Sequence, residues 1–338
     1  MDKKIGVGII GMGMMGNIFA KIIKQNSFLE LKGISGSRDN KKLENLSKEY
    51  NTSAYYDYIG LLENTDIQAV FVCLPEDKHT AVAVDAALSG KHLFIEKPIA
   101  SKISDANEII ESVNKSKVKL MVGHCLRFDP RYYLAKKSIE KGEIGEIIHI
   151  YIRRNTHVGM RKHYQERTSI VMFLGIHDID ILNWYIGKKA KRVFAESNHG
   201  LGKSFENNDS VFSTIKFNNG TVALAENSWA ISDKSNKIAA NSRMQAEIVG
   251  TKGTIYIDGS MNSGLKIQGI NGEIYPDTQY MPYVQNMYSG VFFREITHFA
   301  NCLKNDIYPC ISGAEAKDAL VIVDAIERSL ESRSVIDL

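Results

Sequence analysis

Three groups of residues in this chain have types and spacings that could do chemistry. Gly11-Met12-Gly13-Met14-Met15-Gly16 matches G-x-G-x-x-G. In that pattern the first glycine permits a tight turn, the second lets backbone approach a pyrophosphate, and the third lets a helix pack closely on a strand. Glu96-Lys97-Pro98 sets a carboxylate and an ammonium side by side, and the proline keeps Lys97 extended rather than helical. His177 and Asp180 stand three apart on an expected helix and share a face with Ile181 and Trp184. A lone histidine there is commonly a satisfied core residue, and no third ligand accompanies the pair, so no metal site is expected.

Such residues need elements to hold them. Residues 5–10 read as a short aliphatic strand halted by glycine, and residues 17–25 carry the apolar stripe Ile18, Phe19, Ile22 and Ile23. The glycine pattern therefore sits where a strand turns into a helix, and the helix start offers unpaired N–H groups to phosphates. Strands at 29–35, 69–74, 92–95 and 120–122 alternate with helices at 41–50, 80–88 and 104–113. That alternation predicts an α/β fold whose N-terminal domain is a Rossmann-type, doubly wound parallel sheet with right-handed crossovers. Lys97 falls at the carboxyl end of a buried strand, where ligands bind in such sheets.

Beyond residue 125 the texture changes to short strands at 147–153, 192–196, 211–217, 221–227, 244–249, 253–257 and 265–269. Asn218-Asn219-Gly220 joins two of them as a hairpin. The expectation is a C-terminal α+β domain: a large, mostly antiparallel open sheet with a helix at 170–186 on one face. The domains are placed at 1–124 and 125–338, with the last helix, 314–331, a candidate to pack back on the first. Alternation of Val211, Ser213, Ile215 and Phe217 against Phe212, Thr214 and Lys216 leaves open which face is buried.

The second strand should deliver a residue to the adenosine ribose about 20 positions after the loop. An NAD site wants Asp or Glu there; this chain has Ser37-Arg38. A hydroxyl beside a guanidinium suits a 2′-phosphate better than a bare diol, so NADP is the expected cofactor. NAD is the alternative, with Arg38 a loop residue and Asp39 serving the ribose.

Together with Leu74-Pro75-x-x-x-His79 and Gly90-Lys91-His92, these motifs resemble the Gfo/Idh/MocA oxidoreductases, a family that includes inositol 2-dehydrogenases and glucose–fructose oxidoreductase. The resemblance continues through Arg127-Phe128-Asp129-Pro130, Gly142-Glu143-Ile144-Gly145, Gly175-Ile176-His177-Asp178-Ile179-Asp180 and Glu247-Ile248-Val249-Gly250, nearly the whole chain. It implies hydride transfer between a nicotinamide and a secondary hydroxyl of an inositol-like polyol, sugar or sugar derivative. It places Lys97 at the reaction centre and His177 on the family's catalytic histidine, with the hydroxyl proton passing to either or to a relay of both. It adds cofactor contacts at Cys73, Leu74, Pro75, His79 and Glu96. Substrate contacts are implied at Arg127, Asn155 and Asp180, with Arg153 and His124 beside them. It also implies a homodimer or homotetramer formed through the open sheet face.

One departure matters. Many family dehydrogenases carry an aspartate four residues before that histidine, where it assists the lysine; this chain has Phe173. An aromatic ring cannot share a proton, which leaves Lys97 and His177, or Asp180 as a substitute. Two other functions stay in play: a dinucleotide-sensing protein without turnover, and an NAD-dependent glycosidase. The basic stretch 154–167, with Arg154, Arg161, Lys162, His163 and Arg167, suits an anionic substrate or, preferably, a solvated loop. Tyr275, Tyr280, Tyr283, Tyr288 and Trp229 could stack on sugar but read better as packing.

Composition closes off other classes. The chain has 338 residues, 44% hydrophobic and 24% charged, with 42 Lys+Arg against 39 Asp+Glu. That is ordinary for two globular domains and lacks the basic excess of a nucleic-acid binder. The four cysteines form no C-x-x-C pair, which fits a reducing cytoplasm. No run reaches the ~18 apolar residues of a membrane span. Met1-Asp2-Lys3-Lys4 before an apolar stretch imitates a signal peptide, but five glycines and no A-x-A site argue against one.

Overall fold

Strand β1 (Ile5–Ile10) is aliphatic and buried, and it runs into the glycine loop that opens α1 (Met14–Gln25). The chain continues through β2 (Leu29–Ser35), α2 (Asn40–Tyr50), β3 (Ser53–Tyr55), α3 (Tyr58–Glu63) and β4 (Ala69–Val72). It then forms α4 (His79–Leu88), β5 (His92–Glu96), α5 (Ile103–Ser116) and β6 (Leu120–Gly123). The strands assemble in the order β3-β2-β1-β4-β5-β6, every pairing parallel. This is the doubly wound sheet expected from the alternation; β3 and α3 are too short to have announced themselves. This computed structural model describes residues 4–36, 39–164, 167–198, 209–231, 242–259, 265, 267–269, 272–274 and 277–338. The chain forms two compact units: Met1–Phe128 with Met281–Lys317, and Asp129–Tyr280 with Asp318–Leu338.

The first unit thus takes in a segment from late in the chain. The helix Val291–Lys304 lays Phe299 against Phe71 and Phe94 of the sheet, each at 5.7 Å between ring centroids. Phe292 of the same helix meets Phe19 of α1 at 6.0 Å, and Phe19 packs edge-on to Phe94 at 5.5 Å. Burying several aromatic rings in one cluster is worth several kcal/mol before entropy is counted.

The second unit begins with α6 (Pro130–Glu140), capped by Asp129 and started by proline. It adds β7 (Ile147–His157), α7 (Val158–Tyr164), α8 (Ile176–Ile186), β8 (Ala190–Asn198), β9 (Ser210–Phe217), β10 (Val222–Ile231), β11 (Ser242–Gly250) and β12 (Thr254–Asp258). Its sheet runs β12-β11-β7-β10-β9-β8, with Ile336–Asp337 beyond β8. All neighbours are antiparallel except β7 and β10. Burial settles the face that alternation left open: Val211, Ser213, Ile215 and Phe217 are covered, whereas Phe212 is 46% and Leu224 of β10 is 40% exposed. The expected helix 170–186 opens as a single π turn, Val171–Gly175, before becoming α8.

The basic stretch 154–167 proves not to be a solvated loop. It completes β7 and forms α7, and two of its guanidiniums are internal counter-ions. Arg154 donates through Nε to Asp178 Oδ1 at 2.9 Å, with side chains 4% and 0% exposed. Asn227 Nδ2 donates to the other oxygen of Asp178 at 3.0 Å. Arg161 pairs with Asp209 at 3.1 Å, again deeply buried. The side chains of Lys162 and His163 lie outside the described residues, as does Tyr275. Burial works against both charges of the Arg154–Asp178 pair, but the carboxylate more than compensates at Arg154, whose pKa is raised. Removing one partner strands the other. Arg154→Met is therefore expected to lower stability by about 3–5 kcal/mol, read as a fall in urea midpoint. The double change Arg154→Met, Asp178→Leu should recover much of that loss; a single variant as stable as wild type would contradict the assignment.

Candidate functional site

The carboxyl edge of the first sheet is set by register. Ile10 of β1 pairs with Val72 of β4, and Val72 with Ile95 of β5. The next residues, Gly11, Cys73 and Glu96, therefore emerge side by side from three neighbouring strands, and Glu96 in turn pairs with Gly123 of β6. Ser35 ends β2 at the same level as Ile10. The sequence-expected cofactor residues Gly11, Cys73, Leu74, Pro75, Glu96 and Lys97 thus share one edge, with His124 following Gly123.

The three glycines of the loop do three different things. Gly11 has φ +106, and a Cβ there would lie 2.4 Å from the Cys73 carbonyl oxygen, so only glycine fits. A Cβ on Gly16 would lie 2.0 Å from the Gly11 carbonyl oxygen, which is how α1 comes so close to the turn. Gly13 is the opposite case: a Cβ would meet nothing within 4 Å, so no neighbour in the protein demands glycine there. Gly13 is also the N-cap of α1 and supplies no side-chain cap, which leaves the first N–H groups of the helix available. Met12 is buried and Met14 is 64% exposed. Two residues that the pattern did not single out hold the loop. Asn17 Nδ2 donates to the carbonyls of Met12 (3.1 Å) and Gly13 (2.7 Å), and Tyr50 donates its hydroxyl proton to Asn17 Oδ1 at 3.1 Å.

At the ribose end, Ser37 and Arg38 lie outside the described residues. Asp39 caps α2, its Oδ1 accepting from the backbone N–H groups of Lys41 and Lys42 at 2.9 and 3.2 Å.

Glu96 is buried at the strand tip. Its Oε2 accepts from the Lys97 backbone N–H at 3.2 Å, while Oε1 is buried with no hydrogen-bond partner. Burial pushes its pKa up to about 7, against the pull of the Lys97 charge and N–H. Lys97 is half-buried, and the bond from it to Pro98 is cis. His79 is committed to holding the neighbouring loops: Nδ1 contacts the Pro98 carbonyl at 3.0 Å and Nε2 the Leu74 carbonyl at 2.9 Å. Burial lowers its pKa, which those carbonyls partly offset. Arg127 is buried and bonded through Nη1 to Glu315 at 2.7 Å and to the Cys310 carbonyl at 3.3 Å. It ties the segment 310–315 to the end of β6. His124 is buried as well.

In the second unit, His177 is half-buried on α8, and Asp180 is buried one turn on. Phe173 sits in the π turn before them and is the middle ring of a stack, 4.3 Å from Tyr164 and 5.8 Å from Trp229. Trp229 is 1% exposed and hence packing rather than a sugar platform. Arg153 and Asn155 stand on β7 in alternation with Ile152 and Arg154, the residues α8 covers. Asn155 Nδ2 donates to Glu226 Oε1 at 2.6 Å and Tyr151 donates to Glu226 Oε2 at 2.5 Å, on the open face of the sheet. The structure therefore does not bring Arg153 and Asn155 together with His177 and Asp180. Among the described residues no group of three or more His, Cys, Asp or Glu is placed to hold a metal, and no helix is long and apolar enough to cross a membrane.

The buried carboxyl of Glu96 makes a testable difference. Its folded pKa lies above the usual 4.5, so its contribution is fully present below pH 4.5 and is lost as pH rises through about 7. Glu96→Gln, which cannot ionise, should match wild type below pH 4.5. Above pH 7 it should exceed it by up to about 3 kcal/mol in cofactor-free denaturant unfolding. Parallel pH profiles for the two proteins would show that Glu96 is not desolvated.

Two family models match the chain: "Oxidoreductase family, NAD-binding Rossmann fold" over residues 5–124, and "GFO/IDH/MocA C-terminal domain" over residues 132–256. The myo-inositol 2-dehydrogenase of Thermotoga maritima is 26% identical over 338 residues, 98% of each chain. The scyllo-inositol 2-dehydrogenase (NAD(+)) of Bacillus subtilis is 24% identical, covering 100% of this chain and 97% of its own. Among solved structures, scyllo-inositol dehydrogenase from Lactobacillus casei with bound NAD(H) and scyllo-inositol superposes with a TM-score of 0.85 at 23% identity, over 99% of both chains. With both halves matched in order, the chain belongs to the Gfo/Idh/MocA oxidoreductase family.

Proposed function

We propose that this protein oxidises a secondary hydroxyl of a cyclic polyol, sugar or sugar derivative, or reduces the matching ketone, with a nicotinamide dinucleotide as partner. The observation that carries this reading is the single strand edge holding the glycine loop, the unpartnered Oε1 of buried Glu96, and half-buried Lys97. The residues present fit a dinucleotide: Gly13 leaves room for backbone to approach a pyrophosphate, and Glu96 Oε1 awaits a donor. The bound dinucleotide supplies a hydride acceptor at its nicotinamide ring. Lys97 Nζ takes the hydroxyl proton, with His177 as its family-matched companion. Glu96 fixes the Lys97 backbone through its N–H, and His79 braces the two loops that flank the edge. Phe173 contributes packing and no proton. The relatives named for inositols support the substrate class, and the open choice among polyols and sugars rests on pocket side chains.

NADP is favoured by Ser37-Arg38, and by the engagement of Asp39 as a helix cap rather than as a ribose acceptor. The NAD-binding family model and the relatives named for NAD weigh on the other side, so both cofactors belong in the assay.

We also propose that a second copy covers the open sheet face, where Phe212, Leu224 and the 74%-exposed Tyr256 would otherwise meet water. Size-exclusion chromatography with mass detection should give a dimer or tetramer; a strict monomer refutes this assembly.

The activity is tested on inositols, aldoses, sugar acids and nucleotide sugars with each cofactor, following nicotinamide absorbance. Lys97→Ala should lower kcat by about 10²–10⁴-fold while leaving cofactor affinity, read by nicotinamide fluorescence, near wild type. A variant with full kcat removes Lys97 from the mechanism. Cofactor binding by wild type with no redox change on any substrate would instead identify a dinucleotide-sensing protein.

A further inference from the structure

Anion binding by a loop requires that its carbonyls point away from the anion and be satisfied elsewhere. In this loop two N–H groups are already spent: Gly11 donates to the Ser35 carbonyl at 2.9 Å and Met12 to the Gly36 carbonyl at 3.4 Å. The next two, Gly13 and Met14, belong to peptide planes whose carbonyls are those of Met12 and Gly13. In a trans peptide the C=O and N–H point in opposite directions. Whatever holds those carbonyls therefore aims those N–H groups.

The Gly13 carbonyl already accepts from the Asn17 backbone N–H at 3.1 Å, the first helical bond of α1, so the carbonyl left to a side chain is that of Met12, and the side chain that holds it is Asn17. One amide nitrogen grips both carbonyls, Met12 at 3.1 Å and Gly13 at 2.7 Å, from one turn into α1. An asparagine amide can rotate, and with its oxygen turned inward it would repel the carbonyls it now binds. Tyr50 prevents that by donating to Asn17 Oδ1 at 3.1 Å. Tyr50 is itself fixed: it is 4% exposed at the end of α2, and its backbone carbonyl accepts from Lys24 Nζ at 3.0 Å.

We propose that the Asn17 side chain, oriented by Tyr50, is the positioning group of the phosphate cradle, holding the Met12 carbonyl inward and reinforcing the main-chain bond on the Gly13 carbonyl, so that the Gly13 and Met14 N–H groups face a nucleoside diphosphate. This rests on the dinucleotide reading above and deepens it. Neither residue touches the ligand. Their effect is on the direction of two main-chain dipoles, and so it falls on the diphosphate and not on the base or sugar.

The test compares ADP with adenosine, each displacing reduced nicotinamide dinucleotide followed by its fluorescence, on full-length wild type, Asn17→Leu and Tyr50→Phe. Asn17→Leu should weaken ADP about tenfold and leave adenosine within twofold, with a urea midpoint near that of wild type. Tyr50→Phe, which frees the amide without removing it, should weaken ADP in the same direction by a smaller factor. Equal losses for ADP and adenosine, or unchanged ADP binding in Asn17→Leu, overturn the proposal while the dinucleotide reading stands. Failure of wild type to bind either the dinucleotide or ADP overturns both.

Discussion

Strands joined by right-handed crossovers all finish on one edge of their sheet, but only hydrogen-bond register decides whether they finish at one level. In this protein β1, β4 and β5 are in step through Ile10, Val72 and Ile95, and the placing of Gly11, Cys73 and Glu96 side by side follows from that alignment. It packs the tips so tightly that Gly11 has no room for a side chain against Cys73, and Gly36 none against the Gly11 nitrogen. It also decides that Glu96 emerges among neighbours rather than into water, which lifts its pKa toward 7. A shift of one residue at β5 would exchange the faces of Phe94 and Ile95, take Phe94 out of the aromatic cluster with Phe71 and Phe299, and carry Glu96 off the edge. The apolar core and the polar edge are thus fixed by the same register.

What could be read from the sequence and what could not divides along physical lines. The strands of the first sheet were legible because a parallel strand buried on both faces must be continuously aliphatic, and a glycine loop after one of them has few other uses. The helix Val291–Lys304 was not anticipated, although its buried positions Val291, Ile296 and Phe299 are helically spaced. Its partners Phe19, Phe71 and Phe94 lie more than 200 residues earlier, so no local window shows what it packs against. Arg154 and Arg161 misled for the same reason. A guanidinium in a loop looks solvated until the fold delivers Asp178 and Asp209 to it. The open and covered faces of β9 became distinguishable only once α8 and its neighbours had chosen a side.

Phe173 shows how a substitution at a chemically important position can be absorbed by packing. Where the resemblance leads one to expect an aspartate, this chain stacks a ring between Tyr164 of α7 and Trp229 of β10, inside a π turn. Single π turns are uncommon and occur frequently near functional sites, since they turn one side chain out of the α-helical pattern. The stack joins three elements of the second unit, so the aromatic residue carries structure there. Asp178 and Asp180, next in sequence, are buried, and Asp178 spends both oxygens on Arg154 and Asn227. The acidic character of this stretch is largely internal.

The glycine loop and the expected substrate contacts are therefore specified by different means. The glycine loop is written in main-chain geometry: a positive φ at Gly11, a bare Gly13, a close Gly16, and an asparagine that holds two carbonyls. Main-chain devices depend on residue spacing and on glycine, which a linear sequence displays directly. The expected substrate contacts are side chains, and several of them already have partners within the protein. Arg127 is bonded to Glu315, and Asn155 gives its Nδ2 to Glu226 on the open face while its Oδ1 is buried without a partner. A side chain of the right type at the right motif position becomes a ligand contact only if the fold leaves its polar atoms uncommitted, and that depends on partners scattered along the chain. For this reason the cofactor class follows from a short pattern, while substrate identity has to be read from the assembled pocket.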